Sequence, residues 1–116
     1  MTLGKLVAKS GKVILDSCAR TTTVPDRMRG LLCRPQQEAN AGYLIDRCAS
    51  IHTFAMPYPI DVVYLDDNYK VVRCIDSLQP WRISSCRSAS MTLELAAGQA
   101  QALGFEPALE LQWQTN

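Results

Sequence analysis

The sequence predicts a mainly β protein, α+β only at the margin, folded as a β-sandwich or partly closed barrel with two short helices. Three observations predict it. Seven or eight short runs rich in Val, Ile, Leu and aromatic residues recur along the chain. Tight turn signals built from Gly, Pro, Asn and Asp separate most of them. Only two stretches have the composition and spacing of a helix. A chain of 116 residues has the usual size of one domain, so residues 1–116 are expected to share one core that needs no disulfide or metal to form.

Residues 3–9 and 12–16 are apolar-rich runs flanking Ser10-Gly11, which predicts a hairpin. Asp16 to Thr23 is polar and reads as a strand end and a loop. Thr23-Val-Pro-Asp26 is a helix start: Thr23 can cap, Pro25 suits the first turn, and Asp26 complements the dipole. That helix would run from Val24 to Cys33 and stop before Arg34-Pro35. Gly42 to Asp46 is a short strand. Cys48 to Met56 and Ile60 to Asp66 are read as two strands joined by Pro57-Tyr-Pro59. Asp67-Asn68 turns the second of these into a strand over 69–76. Gln79 to Ser90 is a loop or edge segment, and Met91 to Leu95 is a strand. Residues 96–103 are rich in helix formers, with Gly104 placed to end a short helix. Ala108 to Trp113 alternates and closes the sheet.

Composition narrows the function. With 47% hydrophobic residues, 20% charged residues and a formal charge of +1, the chain is an ordinary soluble sequence, not a binder that works by neutralising phosphates. Nucleic acid is therefore not an expected partner. No apolar run approaches the ~20 residues of a membrane helix, and the N-terminus lacks the features of a signal peptide. A cytoplasmic location is the expectation. Five cysteines, at 18, 33, 48, 74 and 86, show no Cys-x-x-Cys spacing. Free thiols, several of them packed as small apolar groups, are the plain reading.

An ordered set of motifs resembles a known bacterial and archaeal family. The set is Arg27-x-x-Gly30-Leu31-x-x-Arg34, Gly42-Tyr-Leu-Ile45, Cys48-x-x-Ile-His-Thr-Phe-x-Met56 and Pro59-Ile-Asp61-Val-Val-Tyr-Leu-Asp66. It continues in Pro80-Trp81, Leu93-Glu94-Leu95-Ala-x-Gly98 and Leu103-Gly104. Spanning about residues 12 to 113, this is similar to the family called domain of unknown function 192. The resemblance implies a compact β-rich fold of jelly-roll type with small helices, and no established activity. The chain departs from the family pattern at Pro107-Ala108, at the turn Asp67-Asn68, and at Ala55, where a bulky aromatic is usual.

Cys48-Ala-Ser-Ile-His-Thr-Phe-Ala-Met56 draws attention first, because it holds the only histidine between two sulfur side chains. Cys48, His52 and Met56 are soft ligands suited to copper(I) or, without Met, to zinc. On a straight strand Cys48 and His52 lie about 13 Å apart, too far for one ion. No metal or cofactor is expected on that ground. A Cys–His nucleophile would serve a hydrolase or transferase, but it needs the two groups in contact, and Cys33, Cys74 or Cys86 could approach only through the fold. Asp61 interrupts an apolar strand and needs a donor. A hairpin closed by Pro57-Tyr-Pro59 would set Asp61 opposite Ala55 and His52 opposite Tyr64, on opposite faces, which leaves Arg27 or Arg34 as the expected partner of Asp61. Glu94 is expected to point to water, and Phe54, Tyr58 and Trp81 to line the core or a groove. The preferred function is a non-enzymatic binding or accessory module. Its shallow polar pocket would be formed by His52, Asp61, Arg27 and Arg34 and would take a small molecule or a protein.

Overall fold

The computed structural model of the chain describes residues 2–21 and 38–116. Nine strands and one short helix are found there. In chain order they are β1 (Thr2–Ala8), β2 (Val13–Arg20), β3 (Ala41–Ile45), β4 (Ser50–His52), β5 (Ile60–Leu65), β6 (Val71–Leu78), β7 (Ile83–Ser85), β8 (Met91–Ala96), α1 (Gln99–Ala102) and β9 (Leu111–Thr115). The mainly β expectation holds and the molecule is compact. The expected helix over Val24 to Cys33 lies outside the described residues.

Seven strands form one sheet in the order β6-β5-β8-β3-β2-β1-β9, and β4 and β7 form a second, two-stranded sheet. The turn-directed hairpins appear where the local signals place them. β1 pairs antiparallel with β2 across Ser10-Gly11, and β5 pairs antiparallel with β6 across Asp66 to Lys70. In the second turn the Asp66 carboxylate accepts N–H bonds from Asn68 (2.9 Å) and Lys70 (3.0 Å), the Asx geometry that makes Asp a turn residue. β2 runs on to Arg20 and pairs with β3 in parallel. β3 and β5 flank β8 antiparallel. At the sheet centre Gly42 is required by space: a Cβ there would lie 2.7 Å from Leu15 Cδ2 and 2.8 Å from Leu95 Cδ2.

The two outer strands approach each other at one end. Val71 N donates to Leu109 O at 2.8 Å and Leu111 N to Tyr69 O at 3.1 Å, and Lys70 bridges Glu110. The contact is confined to this end, and the sheet is not closed into a barrel.

Both faces of the large sheet are covered. On one face Leu6, Leu15, Cys18, Leu44, Val63, Leu65, Leu93 and Leu95 form a core with Ala100 of α1 and Phe105. On the other, Tyr43, Ile45, Met56, Ile60, Val62 and Tyr64 pack against Ile51 of β4, Cys48 and Cys86. This double burial explains why all six residues of β5 are buried, Ile60 through Leu65, as expected of a strand sandwiched on both sides. It also corrects the reading of Glu94, which is 4% exposed and faces the second layer, not water. The short helix ends as expected: Leu103 is its C-cap and Gly104 follows at φ 84, a conformation that glycine adopts without strain.

The second correction concerns β4. It does not form a hairpin with β5. It pairs with β7, thirty residues on, with Ser50 opposite Ser85, Ile51 opposite Ser84 and His52 opposite Ile83. The cause lies at Thr53, which is fully buried. Its hydroxyl donates to Gln79 O (2.6 Å) and accepts from Arg82 N (2.9 Å), while its own N–H donates to Arg82 O (2.8 Å). These bonds tie the strand end to residues 79–82, and the backbone then breaks at Ala55, φ 64. The loop expected over 79–90 therefore contains a strand that only its distant partner makes possible.

Candidate functional site

The structure does not bring His52 and Asp61 together. Asp61 is completely buried in β5, opposite Leu95 on β8. Its Oδ1 accepts from Ser77 N and its Oδ2 from Ala100 N, both at 2.8 Å. Ala100 lies in the first turn of α1, whose N–H groups have no partner within the helix. The N-cap residue of α1, Gly98, has no side chain to cap them. Among the described residues the donors to Asp61 are backbone amides of β6 and α1, which make it a clamp between the sheet and that helix. Arg27 and Arg34 lie outside the described residues.

His52 is exposed on β4, on the second layer, away from Asp61. Its Nδ1 accepts from Phe54 N at 3.3 Å. Met56 is buried in the second core cluster. The Cys48 thiol donates to Ser50 O at 2.9 Å. Cys48, His52 and Met56 are therefore three separate environments, and no group of three His, Cys, Asp or Glu residues able to hold a metal occurs among the described residues. No cysteine hydrogen-bonds to His52 among them. Burial pushes the Cys18 thiol up to about 12, and burial followed by the charges of Asp76, Asp61 and Glu106 raises Cys74 to about 11. Both stay protonated at neutral pH and are poor nucleophiles.

A concave site exists elsewhere. A cavity of about 450 Å³ lies beside the ends of β2 and β3 and is lined by Arg20, Asp46, Arg47, Cys48, Asp67 and Tyr69, together with residues 89–91. That volume is in the range of small-molecule sites. Arg20 is its fixed point. Nη1 donates to Tyr69 OH at 2.6 Å and Nη2 pairs with Asp46 Oδ1 at 3.3 Å. The guanidinium carbon also lies 5.5 Å from the Tyr69 ring centre and 5.1 Å from that of Trp113, cation–π distances. Burial works against the Arg20 charge, but the Tyr69 hydroxyl and the Asp46 carboxylate outweigh it and raise its pKa. Trp113 can lie there because position 4 is glycine: a Cβ on Gly4 would sit 2.7 Å from Trp113 Cζ2. Arg47 adds an exposed second cation, with its backbone at φ 50.

Sequence reasoning missed Arg20, Asp46, Arg47 and Asp67. Each sits at a strand end or turn among polar neighbours, and Arg20 and Tyr69 are 49 residues apart. The one local signal was the break at Asp46-Arg47 after an apolar strand.

Comparison with known proteins places the fold and the family. A crystal structure from Sinorhizobium meliloti, of a protein named as a candidate transcription regulator, superposes with a TM-score of 0.80 at 22% identity, covering 97% of this chain and 92% of that one. A protein of unknown function from Novosphingobium aromaticivorans gives a TM-score of 0.76 at 20% identity over 96% of this chain and 84% of the other. These likenesses concern the fold alone. The UPF0127 protein PH1112 of Pyrococcus horikoshii is 54% identical over 35 residues, 30% of either chain. The profile of the DUF192 family, described as an uncharacterised ACR, matches residues 7–113. With nearly its whole length matched, the chain belongs to the DUF192 family.

Proposed function

We propose that the chain is a non-enzymatic binding or accessory domain, acting as a single cytoplasmic unit, and that it recognises a small polar molecule with an anionic group in the cavity around Arg20. One observation carries this reading. The Arg20 guanidinium is held by three side chains, the Tyr69 phenol, the Asp46 carboxylate and the Trp113 ring, in the wall of a cavity of about 450 Å³. A guanidinium has five N–H donors in a rigid fork. With some of them committed to Tyr69 and Asp46, the others are fixed before any ligand arrives, which lowers the entropy lost on binding. Arg47 supplies an exposed second cation for the anionic group, and Asp46 and Asp67 limit the cavity to ligands that also carry a donor or a positive group.

The test is a thermal-shift and amide-NMR screen against small carboxylates, phosphates and amino acids. A true ligand at about a hundred times its Kd stabilises the fold by about 2.7 kcal/mol. The expected result is a rise in Tm with amide shifts around residues 46–49 and 67–69, much reduced in Arg47→Ala. If no compound in the panel moves these amides, or if Arg47→Ala binds equally well, the reading fails.

A further inference from the structure

We infer that the second layer carries a docking surface for an acidic segment of a partner protein, with Trp81 as its central anchor. Three rings stand in a row on this layer. The His52 and Phe54 centroids are 5.0 Å apart and tilted by 32°, and those of Phe54 and Trp81 are 5.8 Å apart and stacked at 26°. Trp81 is 64% exposed, and Ile83, opposite His52 across the strand pair, is 71% exposed. Large apolar groups gathered on one exposed face mark interaction surfaces.

The backbone shows that this display is imposed. Trp81 has φ 63, a conformation that is a true outlier for a bulky side chain. It is held there by Trp81 N donating to Thr53 O at 3.0 Å, next to the bonds between Thr53 and residues 79 and 82. Strain of this kind persists only where the surroundings enforce it, and it gathers at functional positions. The fold bears the cost of turning an indole toward solvent.

Charge selects the partner. The segments that build this layer, residues 48–60 and 79–90, contain Arg82 and Arg87 and no Asp or Glu. Arg73 joins them, with Nη1 donating to Ser85 O at 3.2 Å. An aromatic centre with an arginine rim has the composition of a protein-binding hot spot. A single strand of nucleic acid would call for a longer track of cations. A surface of anionic lipid would call for a cluster of about four to eight Lys and Arg, whereas this layer offers Arg73, Arg82 and Arg87.

The experiment is an amide-NMR titration of the full chain with a short synthetic peptide alternating Glu with Phe and Leu. The comparison probes are the same peptide with Lys for Glu, an oligothymidine strand, and vesicles of phosphatidylcholine with phosphatidylglycerol. The acidic peptide is expected to shift residues 50–54 and 81–85 and to blue-shift the Trp81 emission. Trp81→Ala and, separately, the Arg82→Glu/Arg87→Glu pair should each weaken it by about tenfold or more. Both changes lie at exposed positions, and circular dichroism verifies folding. Equal binding of the Lys peptide, tighter binding of the oligonucleotide or the vesicles, or unchanged affinity in the variants would each overturn the proposal. So would the absence of any shift at residues 50–54 and 81–85 with the acidic peptide.

Discussion

Replacing Asp61 should separate its role as a clamp from any role in a ligand site. The carboxylate is fully buried and accepts two N–H bonds at 2.8 Å, one from Ala100, which is 1% exposed, and one from Ser77, which is exposed. A hydrogen bond to a charged acceptor contributes about 1.5–3 kcal/mol net, and an orphaned buried N–H carries the higher cost. Released by Asp61→Ala, Ser77 N–H can turn to water while Ala100 N–H cannot. The expected loss is therefore about 3–4 kcal/mol. Asp61→Asn keeps one acceptor, which will face Ala100, and sets its amide N–H against Ser77, so its loss should be about 1–2 kcal/mol. Urea midpoints measure both, and at about 3–6 °C per kcal/mol for a chain of this size the alanine variant should melt at least about 10 °C lower. Hydrogen exchange should speed up at Ala100 and Ser77 before other amides of β6 and α1. If the two variants are equally stable, or if Ala100 keeps its protection in Asp61→Ala, the clamp argument is wrong.

Three further outcomes are expected. The Cys18 and Cys74 thiols, raised to about 12 and about 11, hold their protons more tightly folded than unfolded, where a thiol titrates near 8.5. Their stabilisation is complete below about pH 8.5 and is lost as pH rises through 11 to 12, by up to ~1.4 kcal/mol per pH unit for Cys18 and by less for Cys74, which solvent screens. The urea midpoint should thus fall between pH 8 and 10.5, and less steeply in Cys18→Ala; equal slopes would refute the assignment. Arg20→Lys loses the forked contact to Tyr69 and Asp46 and the stacking on Trp113, so about 1–2 kcal/mol should disappear from the unfolding free energy, and an unchanged midpoint would show that the fork contributes nothing. Trp81→Gly removes the strain of a positive φ, about 1–2 kcal/mol, against about 0.5–1 kcal/mol of extra chain entropy. Stability should hold or rise slightly by chemical denaturation, and a loss above about 1 kcal/mol would make Trp81 structural.

The candidate site was harder to read than the fold. Asp61 was recognisable as a buried charge needing donors, because a carboxylate inside Ile60-Asp-Val-Val-Tyr-Leu65 has no other explanation. Its donors were not, since backbone amides of Ser77 and Ala100 carry no sequence signature. The cavity around Arg20 was invisible for a related reason: its walls come from four separate parts of the chain, at 20, 46–49, 67–69 and 89–91. The aromatic row was visible as residues but not as a surface, because nothing local tells an exposed Trp81 from a buried one.

The sequence by itself determined what depends on near neighbours. The alternation and β-branched content of the strands, the hairpins around Ser10-Gly11 and Asp66 to Lys70, the short helix near residue 100 and its end at Gly104 all follow from turn chemistry and steric preference within a few residues. Tertiary structure decided the rest. It sent β4 to β7 instead of β5, where the buried hydroxyl and amide of Thr53 are satisfied by residues 79 and 82. It covered the second face of the sheet with that pair, and so buried Glu94 and all of β5. Strand pairing is a contest among distant partners for the same hydrogen bonds and the same apolar surface, and its outcome depends on which pairing leaves the fewest buried groups unsatisfied.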